Sequence, residues 1–303
     1  MTVTIQQLAD ALRLSPTQLR NLSIFAKRTQ SYRHRNIPKR AGDGTRPLAA
    51  PVRDLRAVLD QLDWWLKRQA LPFHDAAHGF ITGRSITTHA AVHAGAVILI
   101  TLDLADWFTT VKTKRLELEL RSLGWSLNAA RLVSRIATDE QTQALPQGAP
   151  TSPLFANLVA RYLDRHLTGL AERFGCVYTR YADDLTFSSR RPMGHSAVER
   201  LLQRAEKWIY TEHFTVKSKK THVMRPWQRM SVAGLVVNPS EKNDVRVSRT
   251  YIRRVRSAIH HHLMGHTDLL WTPEQLRSAI GFIRMVNPAQ AEKLQALFVK
   301  VER

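Results

Sequence analysis

An α+β architecture, in which helices are interrupted by a few strands joined as hairpins, follows from three features of the 303-residue sequence. Apolar residues recur at helical spacing in several separate stretches, some of them opened by a cap-Pro-x-Gln start signal. One β-branched run, VILITLDL from Val97 to Leu104, reads as a buried strand. The segment CVYTRYADDLTFSS, from Cys176 to Ser189, reads as strand, tight turn, strand. Strands and helices do not alternate regularly, which separates this pattern from a doubly wound parallel sheet.

The N-terminal 30 residues predict two short helices. Ser15-Pro16-Thr17-Gln18 supplies a cap, a proline at the first helical position and a glutamine at the third, and Leu19, Leu22 and Phe25 mark the apolar face. Basic residues then crowd the chain (Lys27, Arg28, Arg33, Arg35, Lys39, Arg40), and Gly42-Asp43-Gly44 forms a turn between two strands. Leu116, Leu120 and Leu123 fall at helical spacing. After Thr151, Ser152 caps and Pro153 opens one long helix carrying Leu154, Leu158, Leu163, Leu167 and Phe174 as a stripe. Arg161 and Arg165 lie opposite, and Gly175 ends the helix. From about residue 245 the chain is helical and basic, with Thr272-Pro273-Glu274-Gln275 and Asn287-Pro288-Ala289-Gln290 opening two more helices. Here Ile252, Val255, Ile259 and Leu263 form an apolar stripe. Arg249, Arg253, Arg256 and His260 are left on the other side, suited to tracking a duplex backbone.

Forty-five Lys and Arg against 25 Asp and Glu leave a formal charge of +20, which favours a polyanionic partner, nucleic acid or anionic membrane. A hydrophobic fraction of 44% excludes a disordered basic tail. The single Cys176 excludes an internal disulfide and a cysteine zinc site, and reads as a small core filler. The opening MTVTIQQLADALRL has no apolar signal region, and AGAVILITL at 94–102 is too short to span a bilayer. The expectation is a soluble cytoplasmic protein with no membrane partner.

Asp183 and Asp184 are adjacent carboxylates in an otherwise apolar hairpin, an unfavourable pairing unless a cation neutralises them. Asp103 stands at the end of the VILITLDL strand, where packing gives no reason for a charge. Three carboxylates around two cations about 3.5–4 Å apart suit in-line attack of a hydroxyl on a nucleotide phosphate. All-oxygen ligation fits Mg²⁺ or Mn²⁺ better than zinc.

In this order LDLADWF, LPQGAPTSP and YADD resemble motifs A, B and C of the reverse transcriptase palm. IPKRAGDGTRPLAAP at 37–51 and HGFITGRS at 78–85 resemble the fingers blocks, VKSKKTHVMR at 216–225 motif D, and SVAGLVVNP the primer grip. An ordered set over roughly residues 30–240 is far more specific than any one motif. The resemblance implies a right-hand polymerase: helical extension 1–30, fingers 31–96, palm 97–111, fingers and palm helices 112–144, palm 145–243 and a small helical thumb 244–303. It implies Asp103 and Asp183 as principal metal ligands, with Asp184 alongside and the Leu104 carbonyl as a backbone ligand. It places Phe108 as a steric gate selecting dNTPs, Lys39 and Arg46 on the triphosphate and Gln147 near the nucleotide sugar. Lys220 would protonate the leaving pyrophosphate, and Asp106 orients backbone.

About 60 residues follow the primer grip, room for a small thumb but for no RNase H, endonuclease or integrase module. A minimal enzyme of this size resembles the retron reverse transcriptases, which carry Asn-Ala-x-x-His before motif A and Val-Thr-Gly after motif D. Here the blocks read His89-Ala90-Ala91-Val92-His93 and Val232-Ala233-Gly234, each departing at one residue. This resemblance implies a structured non-coding RNA as partner, priming from the 2′-OH of a guanosine in it, and a branched single-stranded DNA product (msDNA). Host RNase H would trim the template, and a separate effector protein would act with the enzyme in anti-phage defence. Three other readings stay open: a solitary or abortive-infection-type bacterial reverse transcriptase, an RNA-binding scaffold with a vestigial site, and a polymerase that extends DNA from a protein or untemplated primer. His260-His261-His262 with His266 lacks cysteine or interleaved carboxylates and reads as basic surface, not a metal site.

Overall fold

A computed structural model describes residues 3–28, 31–38, 44–242, 244–266 and 271–301, with backbone only for 25–28. Lys39, Arg40, Gly42 and Asp43 lie outside the described residues. Reciprocal side-chain caps open the first two helices. Thr4 and Gln7 cap α1 (Ile5–Leu12), and Ser15 and Gln18 cap α2 (Pro16–Arg28) as the sequence predicts. Strands β1 (Tyr32–Pro38) and β2 (Thr45–Pro51) pair antiparallel, and of β1 only Tyr32 is buried. Helix α3 (Arg53–Leu66) buries Leu55, Leu59, Leu62 and Leu66 on one stripe, and α4 (Ile86–Val92) starts from the Ser85 cap.

The central sheet contains β3 (Ile98–Asp103), β4 (Val177–Tyr181), β5 (Asp184–Ser189) and β6 (His222–Met224). Their order is β4-β5-β3-β6, and every pairing is antiparallel. Strand β3 separates two cores by its alternation. Ile98, Ile100 and Leu102 join the large cluster, and Leu99 joins the second. The large cluster takes in α5 (Thr113–Ser122), α6 (Leu127–Ala137), α7 (Ser152–Val159), α8 (Arg161–Arg173) and α9 (His195–Thr211). The second holds the short hairpin β7 (Ser231–Val232) and β8 (Leu235–Val236), with α10 (Arg249–Leu263), α11 (Pro273–Arg284) and α12 (Pro288–Phe298). Val255 and Ile259 of α10 are buried there, whereas Leu263, expected on the same stripe, is 36% exposed.

The single helix expected after Thr151 is two. The chain bends at Ala160, between α7 and α8, and the cap is Thr151 with Ser152 inside the helix. The Ser152 hydroxyl donates to the Pro146 carbonyl at 2.7 Å instead. Leu154, Leu158, Leu163 and Leu167 all stay buried across the bend, so periodicity could not reveal it. Gly175 ends α8 as predicted, at φ +65°, with the Cys176 amide donating to the Ala171 carbonyl at 2.9 Å. Cys176 is buried against Met193, as a core filler should be. Among the described residues no helix is long and apolar enough to cross a membrane.

Candidate active site

Register brings the carboxylates together. Asp103, the last residue of β3, pairs directly with Asp184, the first of β5, and Tyr181 pairs with Asp184 across the next ladder. Ala182 and Asp183 are therefore a two-residue turn, tied to the neighbouring strand by the Leu104 amide donating to the Asp183 carbonyl at 2.9 Å. Ala182 sits at φ +54°, a left-handed value that costs a non-glycine residue about 1 kcal/mol.

The turn is held from below by buried polar groups that sequence reading did not single out. Arg180 is fully buried and forks onto Asp164, Nε to Oδ1 at 2.8 Å and Nη2 to Oδ2 at 2.7 Å. Its Nη1 donates to Asn157 Oδ1 at 2.9 Å and to the Ala182 carbonyl at 3.0 Å. Asn157 Nδ2 in turn donates to the Gly79 carbonyl at 2.7 Å. Gly79 must be glycine, because a Cβ there would lie 2.7 Å from the Ala182 nitrogen. The available signal was a lone arginine in an apolar strand and a lone aspartate in a leucine stripe. Each needs a buried partner, but the sequence does not say which.

Burial, followed by the Asp103 charge, raises the Asp183 carboxyl above its ordinary range. Loss of solvent, then Asp183 and Asp103, pushes Asp184 up to about 6. Two ammonium groups contact Asp103. Lys220 Nζ donates to Oδ2 at 2.7 Å. Lys217 Nζ donates to Oδ1 at 2.5 Å and to the Leu104 carbonyl at 3.0 Å. Lys217 was overlooked in the sequence, hidden among the lysines of VKSKK. The donor set of three mutually repelling carboxylates and a carbonyl suits hard divalent cations, and the two ammoniums already stand in for positive charge. Among the described residues no three His, Cys, Asp or Glu side chains are gathered as a ready metal cage.

The residues expected to meet the nucleotide sit on separate elements, with Lys39 outside the described residues. Phe108 follows β3 and is half-buried against the large core. The Gln147 carbonyl accepts from the Ala49 amide at 2.9 Å, so the root of the β1–β2 hairpin rests on the Gln147 loop. Arg46 is exposed on β2, opposite Ile37. Arg249, Arg253 and Arg256 are exposed along α10, in the part of the chain built on the second core.

His89 and His93 lie buried behind the β4–β5 hairpin. His93 joins Ser188 Oγ and Thr179 Oγ1, each at 2.7 Å, and Thr179 Oγ1 joins His89 Nδ1 at 2.7 Å. Burial lowers His78, His89 and His93, His89 to about 3, with neighbouring positive groups adding to the effect. Since these folded-state values lie below the unfolded one, the unfolded chain binds more protons in acid. Their contribution is complete above about pH 6.5 and is lost as pH falls. His89 alone should remove about 2 kcal/mol at about pH 5. Thermal melting at pH 5 and 7.5 checks this, and His89→Asn should flatten the difference. An unchanged pH dependence in that variant would refute it.

The sheet, its carboxylate turn and the helical unit on its far core compose a right-hand nucleic-acid polymerase. The reverse transcriptase (RNA-dependent DNA polymerase) family matches residues 37–262. The chain is 36% identical to the Mx162 retron reverse transcriptase of Myxococcus xanthus, over 98% of this chain and 67% of that protein. It is 36% identical to the Mx65 retron enzyme of the same organism, over 96% and 70%. It is 30% identical to the Ec86 retron enzyme of Escherichia coli, over 99% and 89%. A Candida albicans telomerase, solved with a TWJ fragment of telomeric RNA, shares the fold. Its TM-score is 0.50 at 11% identity, over 88% of this chain and 56% of that one. The chain belongs to the retron reverse transcriptases and is an RNA-directed DNA polymerase. The departures at His89 and Ala233 fall inside that membership. His89 fills a fully buried slot, and Ala233 stands at φ +48° in the β7–β8 turn.

Proposed function

We propose that the enzyme copies part of a structured non-coding RNA into branched, single-stranded msDNA, starting from a 2′-OH of that RNA and consuming dNTPs. The observation that carries this reading is the Asp103–Asp184 pairing beside the Ala182-Asp183 turn, in a chain related over nearly its whole length to retron enzymes. Asp103, Asp183, Asp184 and the Leu104 carbonyl would hold two divalent cations, Mg²⁺ or Mn²⁺, whose charge would lower the pKa of the attacking hydroxyl and offset the charge of the pyrophosphate. Lys220 delivers a proton to that leaving group, and its contact with Asp103 keeps it within reach. Lys39 and Arg46 grip the triphosphate, Gln147 lies by the sugar, and Phe108 excludes a ribose 2′-OH. Residues 31–96 serve as fingers, 97–111 and 145–243 as palm, 112–144 as supporting helices and 244–303 as thumb. Arg249, Arg253 and Arg256 track the RNA backbone. Host RNase H trims the template, and a separate effector protein links the product to anti-phage defence.

Expression with flanking genomic DNA should yield a small DNA whose size shifts after RNase treatment. A linear DNA unaffected by RNase would refute the branched product. Phe108→Ala should raise ribonucleotide incorporation by at least about tenfold in single-nucleotide extension, and unchanged selectivity would remove the steric-gate role.

A further inference from the structure

The Lys217 ammonium lies where a cation held by this site would lie. Its Nζ contacts Asp103 Oδ1 at 2.5 Å and the Leu104 carbonyl at 3.0 Å, two of the oxygens assigned above to the metal. The placement is built into the backbone. The Lys217 amide donates to the Asp103 carbonyl at 2.8 Å, and Val216 bridges to Leu104. The two lysines on Asp103 are not equivalent. The Lys217 side chain is 38% exposed and spans two prospective ligands, whereas Lys220 is 58% exposed and touches only Asp103 Oδ2. A divalent ion at Asp103 and Leu104 and the Lys217 ammonium cannot occupy the same place.

We propose that Lys217 is a tethered counter-ion. It occupies the cation position of the resting site and must leave Asp103 and Leu104 before a divalent ion binds. This rests on the metal-site reading above. In that role Lys217 is a positioning residue: it offsets the repulsion among the three carboxylates until a cation replaces it, and it competes with that cation. Removing the ammonium should therefore tighten metal binding and make the metal-free protein less stable.

The test is Mn²⁺ binding to the full-length protein without nucleic acid, read by the electron paramagnetic resonance signal of the free ion. Lys217→Met, which keeps the aliphatic stem, should bind about tenfold tighter than wild type, equivalent to about 1.4 kcal/mol. Lys219→Met removes the same charge from an exposed lysine two positions on and should change affinity less than about threefold. Lys217→Met should also melt lower than wild type without metal and level with it in saturating Mn²⁺, a convergence that a purely structural role would not produce. Lys217→Gln carries the same expectation if Lys217→Met does not fold. Equal affinities in wild type and the Lys217 variants, with binding abolished by Asp103→Asn, would overturn the counter-ion and leave the metal site standing. Binding unaffected by Asp103→Asn would overturn both.

Discussion

Asp103→Asn is expected to lower DNA synthesis on an RNA template to less than about a thousandth of wild type, because on the proposed reading the site gives up an anionic ligand for its divalent cations. Asp183→Asn together with Asp184→Asn should do the same. Folding should survive these changes. The double variant relieves two carboxyls raised by burial and mutual repulsion, while Asp103→Asn weakens only the contacts with the partly exposed Lys217 and Lys220 and leaves the strand packing in place. Primer extension with dNTPs, alongside thermal melting and RNA co-purification, checks both halves. Activity within tenfold of wild type in either variant would place the reaction elsewhere, and loss of RNA together with activity would mean that the carboxylates had been structural.

The second large effect concerns stability. Asp164→Leu should cost about 3–5 kcal/mol, since it leaves the Arg180 guanidinium buried without its bidentate partner. It also strips the acceptor of the Tyr178 hydroxyl, which donates to Asp164 Oδ1 at 2.9 Å. The double variant Asp164→Leu, Arg180→Met should recover much of that loss, because an apolar pair needs no compensating charge. Polymerase activity should not recover with it, as the Ala182 carbonyl and Asn157 lose their donor and the turn carrying Asp183 loosens. Denaturant unfolding of the single and double variants, compared with their activity, separates the two effects. A double variant as active as wild type would show that Arg180 holds the fold but not the site.

Much of this was readable from local pattern. Capping residues Thr272 and Asn287 mark their helices because the bonds they make span three residues. Asp103 stands out because a charge ending a β-branched strand has no packing explanation. Gly175 was recognisable as a terminator because its left-handed backbone is a local demand. The bend at Ala160 was not readable, since it leaves the buried leucine stripe unchanged.

By itself the sequence determined the α+β class, the ordered motifs of a reverse transcriptase and the three aspartates. All are short-range features, in which residue type and spacing within a few positions carry the meaning. Only the tertiary structure decided which groups complete the site. Lys217 reaches Asp103 across 114 positions, Asn157 reaches Gly79 across 78, and Asp164 meets Arg180 from a different element. A buried charge announces that it needs a partner. Which residue meets that need is settled by strand register and helix packing, and neither is a property of any local segment.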